Sequence, residues 1–127
     1  MKRDGALMGH CGVQYGAEVV KNCNSILRAL SHFNEAVTAR EIADFLNKDN
    51  IPNYQYSGYN GFIERKWSAH SVAGNMLTLW NMDLIENGEP IKVEGEPRDV
   101  WEYGEKKGVF IPIYEIKTYR LTVKAMM

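Results

Sequence analysis

"AVTAREIADFLN", residues 36–47, carries the strongest local signal in the chain. Thr38 and Glu41 have the S/T-x-x-E spacing of a capping box, in which the hydroxyl accepts from the Glu41 amide and the carboxylate accepts from the Thr38 amide. Ile42, Phe45 and Leu46 then recur at helical spacing, so a short helix runs from Ala39 to about Asn47 with one buried stripe. Val37, just ahead of the cap, enters a short strand or staples the helix start.

Upstream, Val19, Cys23, Ile26, Leu27, Leu30 and Phe33 also keep a helical period, which predicts a helix between Val19 and Phe33. Asn22 and Asn24 are possible caps for a later start, and Asn34-Glu35 closes it. Residues 1–18 are glycine-rich and aperiodic, and read as a flexible N-terminal arm.

Downstream, "WSAHSVAGNMLTLWNM", residues 67–82, contains no Asp, Glu, Lys or Arg, although 24% of the chain is charged. Ser68 is a natural N-cap for a third helix ending near Asn81 to Asp83. Val72, Ala73, Met76, Leu77, Leu79 and Trp80 are expected to face inward, with Ser71, Gly74, Asn75 and Thr78 opposite them. Leu84-Ile85 turns back to the core before an Asn87-Gly88 turn.

Between the second and third helices lies "KDNIPNYQYSGYNGFIERK", residues 48–66, too long for an ordinary structureless connection. Asn60-Gly61 is a strong hairpin-turn signal, with Tyr54 and Tyr56 on one arm and Phe62 and Ile63 on the other, so an inserted hairpin is expected. Beyond Gly88 the period becomes strand-like: "PIKVEG" and "RDVWEY" are strands, "GEKKG" a turn, and "VFIPIYEIKTYRLTV" a final run that Pro112 bends, breaks or confines to an edge.

This order resembles the winged helix-turn-helix superfamily of DNA-binding domains. The resemblance rests on "TAREIADFL" as second helix, Ser68 to Asn81 as recognition helix, Leu84-Ile85 before the wing and Tyr119-Arg120-Leu121-Thr122 closing it. It covers roughly Ile26 to Thr122 and implies an α+β fold: a three-helix core, a C-terminal β-hairpin wing at about 90–123 and the inserted hairpin at about 48–66. The domain as a whole is expected to span 19–124.

Composition sets bounds. A chain of 127 residues with 45% hydrophobic side chains supports one globular core. No run is long and apolar enough to span a bilayer, and the start has no signal-peptide pattern, so a cytoplasmic location is expected. Cys11 and Cys23 suggest free thiols, and with His10 they fall short of a four-ligand zinc site, so no metal or cofactor is expected. No Gly-rich phosphate loop, catalytic triad or paired catalytic carboxylate stands out, Glu94 and Glu96 reading as solvated, so the chain is not read as an enzyme. A net charge of −1 confines any nucleic-acid contact to local patches.

The uncharged helix face focuses the functional reading. The resemblance implies that this face enters the major groove of double-stranded DNA, where Ser71, Asn75 and Thr78 read bases, with His70 beside them. Arg40, Arg65, Lys66, Lys106 and Lys107 are the phosphate-binding candidates, the last two at the wing turn, with Lys92 and Arg98 behind them. His32 is expected to help satisfy the C-terminus of the first helix. A homodimer is expected, because single modules of this size rarely reach high specificity. Tyr54, Tyr56 and Tyr59 provide either a stacking platform, a protein contact or simply hairpin cohesion. Trp67, Trp80 and Trp101 read as core or domain-edge anchors, and Met76 and Met82 as gap fillers. The alternative function is a winged-helix protein-interaction module whose uncharged face is covered by a partner rather than by DNA.

Overall fold

The computed structural model describes residues 7–8, 14–59 and 61–126, with the first two short strands as backbone only. In chain order the elements are β1 (Leu7–Met8), β2 (Gln14–Tyr15), α1 (Ala17–His32), β3 (Val37–Thr38), α2 (Ala39–Lys48), β4 (Asn53–Tyr56), β5 (Phe62–Arg65) and α3 (Ala69–Asn81). They continue as β6 (Ile85–Asn87), β7 (Ile91–Glu94), β8 (Arg98–Glu102), β9 (Glu105–Phe110), β10 (Ile113–Ile116), β11 (Thr118–Leu121) and α4 (Val123–Met126). The architecture is α+β, with helices packed beside several small antiparallel sheets.

The core forms where α1, α2 and α3 meet pairwise. Ile26, Ile42, Leu46, Val72 and Leu79 have no accessible surface, and Trp67 and Ile85 close the cluster at its edges. A three-stranded sheet of order β3–β11–β6 covers one side. The last strand of the core, β11, lies between two short strands placed far earlier in the chain, pairing Tyr119 with Val37 and Asn87. Gly88 is required here, because a Cβ at that position would collide with the Ala36 Cβ.

The capping box of α2 is formed as its sequence dictates. Thr38 Oγ1 accepts from the Glu41 amide at 3.2 Å, and Glu41 Oε1 accepts from the Thr38 amide at 3.2 Å. Val37 forms a short strand, and Ile42 and Leu46 are buried with Phe45 packed against the cluster. Pro112 marks a break between β9 and β10.

Several expectations need correction. Helix α1 starts at Ala17, inside the stretch expected to be an arm, and its N-cap is Gly16. Neither Asn22 nor Asn24 caps it, because both lie within the helix and Asn22 is buried against the inserted hairpin. The helix ends at His32, before Asn34-Glu35. Part of the supposed arm is paired backbone, Leu7 opposite Tyr15 and Met8 opposite Gln14. His10 and Cys11 lie outside the described residues.

The inserted hairpin exists, but its connection is longer than a two-residue Asn-Gly turn. The last pair is Tyr56 with Phe62, and the loop is closed by the Ser57 amide donating to the Gly61 carbonyl at 2.7 Å. Asn60 itself lies outside the described residues. Asn87-Gly88 is no turn either: Asn87 ends β6, and the Gly88 amide continues the ladder to the Thr118 carbonyl. Across the expected boundary at 124, Val123–Met126 is a short helix against β11.

The wing departs furthest from its sequence reading. Residues 91–116 form a two-stranded ribbon of two ladders, β7 with β10 and β8 with β9, neither packed substantially on the helices. Its turn is Tyr103-Gly104, both at positive φ (52° and 78°), which suits the right-handed twist of a hairpin. "GEKKG" is therefore mostly strand, and Lys106 and Lys107 stand in β9 instead of at the tip.

Leu77 and Leu79 make a direct test of which face of α3 is inside. Leu79→Ala should lower stability by about 2–5 kcal/mol, whereas Leu77→Ala, 67% exposed, should change it by under about 0.5 kcal/mol in urea unfolding. The core thiol gives a second test. Burial pushes the Cys23 thiol up from 9.0 to about 11, so the folded chain holds this proton where the unfolded chain releases it. Its contribution is complete below pH 9.0 and is lost as pH rises towards about 11. Unfolding curves across this window should show a steeper alkaline decline for the native chain than for Cys23→Ala.

Candidate functional site

Helix α3 is placed by its N-terminal neighbour. The Trp67 amide donates to Asn47 Oδ1 at 2.8 Å, and Asn47 Nδ2 donates to the Trp67 carbonyl at 2.8 Å. The Trp67 indole N–H reaches the Ile51 carbonyl at 3.1 Å. The residue before the α3 cap is thereby tied to the C-terminal end of α2, although the hairpin intervenes in sequence. A matching pair fixes that hairpin: Asn22 Nδ2 donates to the Tyr54 carbonyl at 2.8 Å, and the Tyr54 amide donates to Asn22 Oδ1 at 2.9 Å.

The helix then starts with a reciprocal cap. Ser68 Oγ accepts from the Ser71 amide at 3.0 Å, and the Ser68 amide donates to Ser71 Oγ at 2.8 Å. This is a capping box with serine in the position usually held by Glu or Gln, which lets the first turn dispense with charge.

The exposed face is not the one expected. Val72, Met76 and Leu79 point inward, but Ala73, Leu77 and Trp80 are exposed, Leu77 at 67% and Trp80 at 39%. An advance of 3.6 residues per turn puts His70, Gly74, Leu77 and Asn81 along the side opposite the buried stripe. The buried stripe is narrower than the run of apolar residues suggests: Val72, Met76 and Leu79 share one side of the helix, and Leu77 falls opposite them. Trp80 instead stands edge-on to Tyr119 of β11, ring centroids 6.5 Å apart.

The four base-reading candidates separate accordingly. His70 is exposed on the outward face, and Thr78 is half-buried at its edge. Ser71 is held in the cap and Asn75 Nδ2 donates to the Ser71 carbonyl at 2.9 Å, so both side chains already have partners within the helix. Asn81, also exposed on the outward face, is absent from the sequence-based candidates; its i+7 spacing from Gly74 is the available signal.

The cationic candidates also divide. Arg65 and Lys66 line a shallow pocket of about 230 Å³ with Asn47, Asn50 and Glu64. Both are exposed, as is Arg40, and among the described residues none of the three forms an ion pair. Lys106 is bound to Asp99 at 3.1 Å and Lys107 to Glu105 at 3.1 Å. The sequence-based placement of this pair at an open wing tip is therefore corrected, and acidic neighbours offset their charge.

The tyrosines are not one platform. Tyr54 is half-buried beneath the Lys21 ammonium, 5.2 Å from its ring centroid, while Tyr56 packs edge-on to Phe62 at 5.4 Å and Tyr59 is fully exposed. Trp67 is buried as expected, but Trp101 is 62% exposed in the ribbon and anchors no core. His32 packs on Phe45, centroids 4.6 Å apart, as part of an aromatic edge to the core.

The described residues hold no cluster of three or more His, Cys, Asp or Glu side chains arranged for a metal, and no described helix is long and apolar enough to cross a membrane. A cavity of about 600 Å³ between the end of α1 and β11 is lined by Leu30, Phe33, Leu121 and Met126 with Arg120. Arg120 there pairs with Glu86 at 3.5 Å. No family model, curated protein or solved structure matches the chain.

Removing the Asn47 side chain leaves the Trp67 amide and carbonyl without their partners. Asn47→Ala should cost about 2–4 kcal/mol across its two bonds, and amide hydrogen exchange should rise first at Trp67 and the start of α3.

Proposed function

We propose that this chain is a winged helix-turn-helix protein that binds double-stranded DNA with α3 in the major groove. The single observation that carries the reading is an exposed, uncharged α3 face, seated on α2 and followed by a β6–ribbon–β11 return into a three-stranded sheet. A groove-reading helix needs small or hydrogen-bonding side chains that approach base edges without stranding a charge. His70, Thr78 and Asn81 provide donors and acceptors, Gly74 permits close approach, and Leu77 offers an apolar contact for a thymine methyl. Arg65 and Lys66 at the helix entrance supply phosphate contacts, with Arg40 as a third cation on α2. Ser71 and Asn75 act on this reading as positioning residues, holding the first turns of the helix. A role in transcriptional regulation follows from sequence-selective duplex binding by a small chain.

A second reading is favoured by one specific observation. Leu77 and Trp80 are exposed apolar side chains on α3, and such residues also suit a protein partner. In that case the helix face docks a protein and the cations at its entrance are solvated.

Fluorescence anisotropy with a labelled mixed-sequence duplex, over a series of salt concentrations, separates the two. Duplex binding that weakens steeply with salt is expected, and Arg65→Ala and Lys66→Ala should each reduce the log–log salt slope by about 1. Asn81→Ala should leave non-specific binding intact and cost about 1–3 kcal/mol on a selected site. Absence of duplex binding at low salt would sink the DNA reading and leave α3 as a protein-docking face.

A further inference from the structure

We propose that the ribbon of residues 91–116 is a self-association arm, and that its apolar face pairs with the same face of a second copy of this chain. The inference goes beyond the DNA reading and does not depend on it.

The ribbon has two unlike faces. Directly paired residues of a ladder share a face, so Ile91 with Ile116 and Val93 with Tyr114 stand on one side, and Lys92 with Glu115 on the other. In the outer ladder, Arg98 pairs with Phe110 and Val100 with Gly108. Arg98 donates to the Tyr114 hydroxyl at 3.4 Å, which joins the two ladders on the first side. Gly95 continues that surface beneath the Tyr114 ring, since a Cβ there would collide with Tyr114 Cε2. Ile91, Val93, Val100, Phe110, Tyr114 and Ile116 thus make one stripe, each 41–56% exposed. From Ile91 to Val100 in the ladders, Arg98 is its only charged side chain, and Glu102 and Glu105 sit beyond it at the tip. The other side mixes Lys92, Glu94, Glu115, Asp99 and Lys106 with Ile113, Val109 and Trp101.

An amphipathic ribbon with no described sheet or helix packed substantially behind it is short of stabilisation, because an isolated two-stranded ladder is marginal in water. Six large half-exposed side chains leave an apolar stripe on the order of 400–500 Å², at the upper end of what single soluble chains expose. Two such stripes face to face bury about 1,000 Å², the lower bound for a specific interface.

Charge selects the occupant. The ribbon carries six acidic against four basic side chains, and three of the four basic ones are engaged, Arg98 by Tyr114, Lys106 by Asp99 and Lys107 by Glu105. A phosphate polymer or an anionic lipid surface is therefore disfavoured. An isologous pairing of apolar stripes needs no charged complement. Running the two ribbons antiparallel sets the tip of each over the root of the other, which keeps the two Glu102 carboxylates apart, the Glu105 carboxylates being paired with Lys107.

Sedimentation velocity on the full chain, from about 5 to 100 µM, tests this, with Phe110→Glu on the apolar stripe and Ile113→Glu on the opposite side. A dimer is expected for the native chain and for Ile113→Glu, while Phe110→Glu raises the dissociation constant at least about tenfold. The milder Val93→Ser/Phe110→Ser variant should weaken the dimer in the same sense, and unchanged far-ultraviolet circular dichroism establishes that each variant is folded. A monomeric native chain, a dimer insensitive to Phe110→Glu, or equal loss with Ile113→Glu overturns the proposal. So does flotation of the native chain with phosphatidylserine vesicles that Phe110→Glu abolishes, which reassigns the stripe to a membrane. Duplex binding is read separately, so a monomeric chain that still binds DNA fails this inference alone.

Discussion

The orientation of α3 depends on one bidentate contact, the Asn47 carboxamide against both backbone groups of Trp67. In a compact helix-turn-helix a few residues of turn hold two helices at a fixed angle. Here the connection contains an entire hairpin, and the covalent chain alone imposes no such angle. Asn47 restores the short connection through space, because an amide side chain has one donor and one acceptor spaced to match a peptide's acceptor and donor. The partly buried setting strengthens the consequence, since neither backbone group of Trp67 finds an equal alternative there. Asn22 does the same for the other root of the hairpin through Tyr54. The insertion is thus fastened at two points to α1 and α2.

Legibility in the sequence follows the range of the interaction involved. The α2 capping box, the Ser68 cap and the two arms of the inserted hairpin were readable, because each depends on residues within a few positions of one another. The Asn22 and Asn47 clamps were not, because they link residues 32 and 20 positions apart. Asn22 read as a possible helix cap for the same reason: its side chain satisfies backbone groups in either role, and only the fold decides which. The inward face of α3 was misread because Leu77 and Trp80 are as apolar as Leu79. At 3.6 residues per turn Leu77 falls opposite Val72, Met76 and Leu79, and a run this dense in apolar residues hides that phase.

The wing shows a different limit. "GEKKG" has turn composition, yet the chain turns at Tyr103-Gly104, a connection that uses positive φ at both residues. Moving the turn by a few positions moves Lys106 and Lys107 from a tip into a strand, where Asp99 and Glu105 come within ion-pair distance. Both pairs are exposed to solvent and contribute little stability. Their effect is on charge: two cations that looked available from the sequence face their own counter-ions, which leaves Arg65, Lys66, Arg40 and Lys92 as the candidate cations without an ion pair among the described residues.

On the proposed reading the two ends of the domain do different work. A wing that grips phosphate would present unpaired cations on a polar surface, and this ribbon presents an apolar stripe with an acidic tip. The helix entrance has the opposite character, with Arg65 and Lys66 beside a neutral α3. On the proposed reading, nucleic-acid contact and self-association therefore occupy separate surfaces that share only the sheet joining β11 to β6. Because β11 pairs directly with β6, and three residues separate β6 from α3, on that reading a ribbon held against its twin also fixes where α3 points. Two such helices carried by a two-fold pair would then have a set separation, which is the geometric condition for reading two half-sites on one duplex.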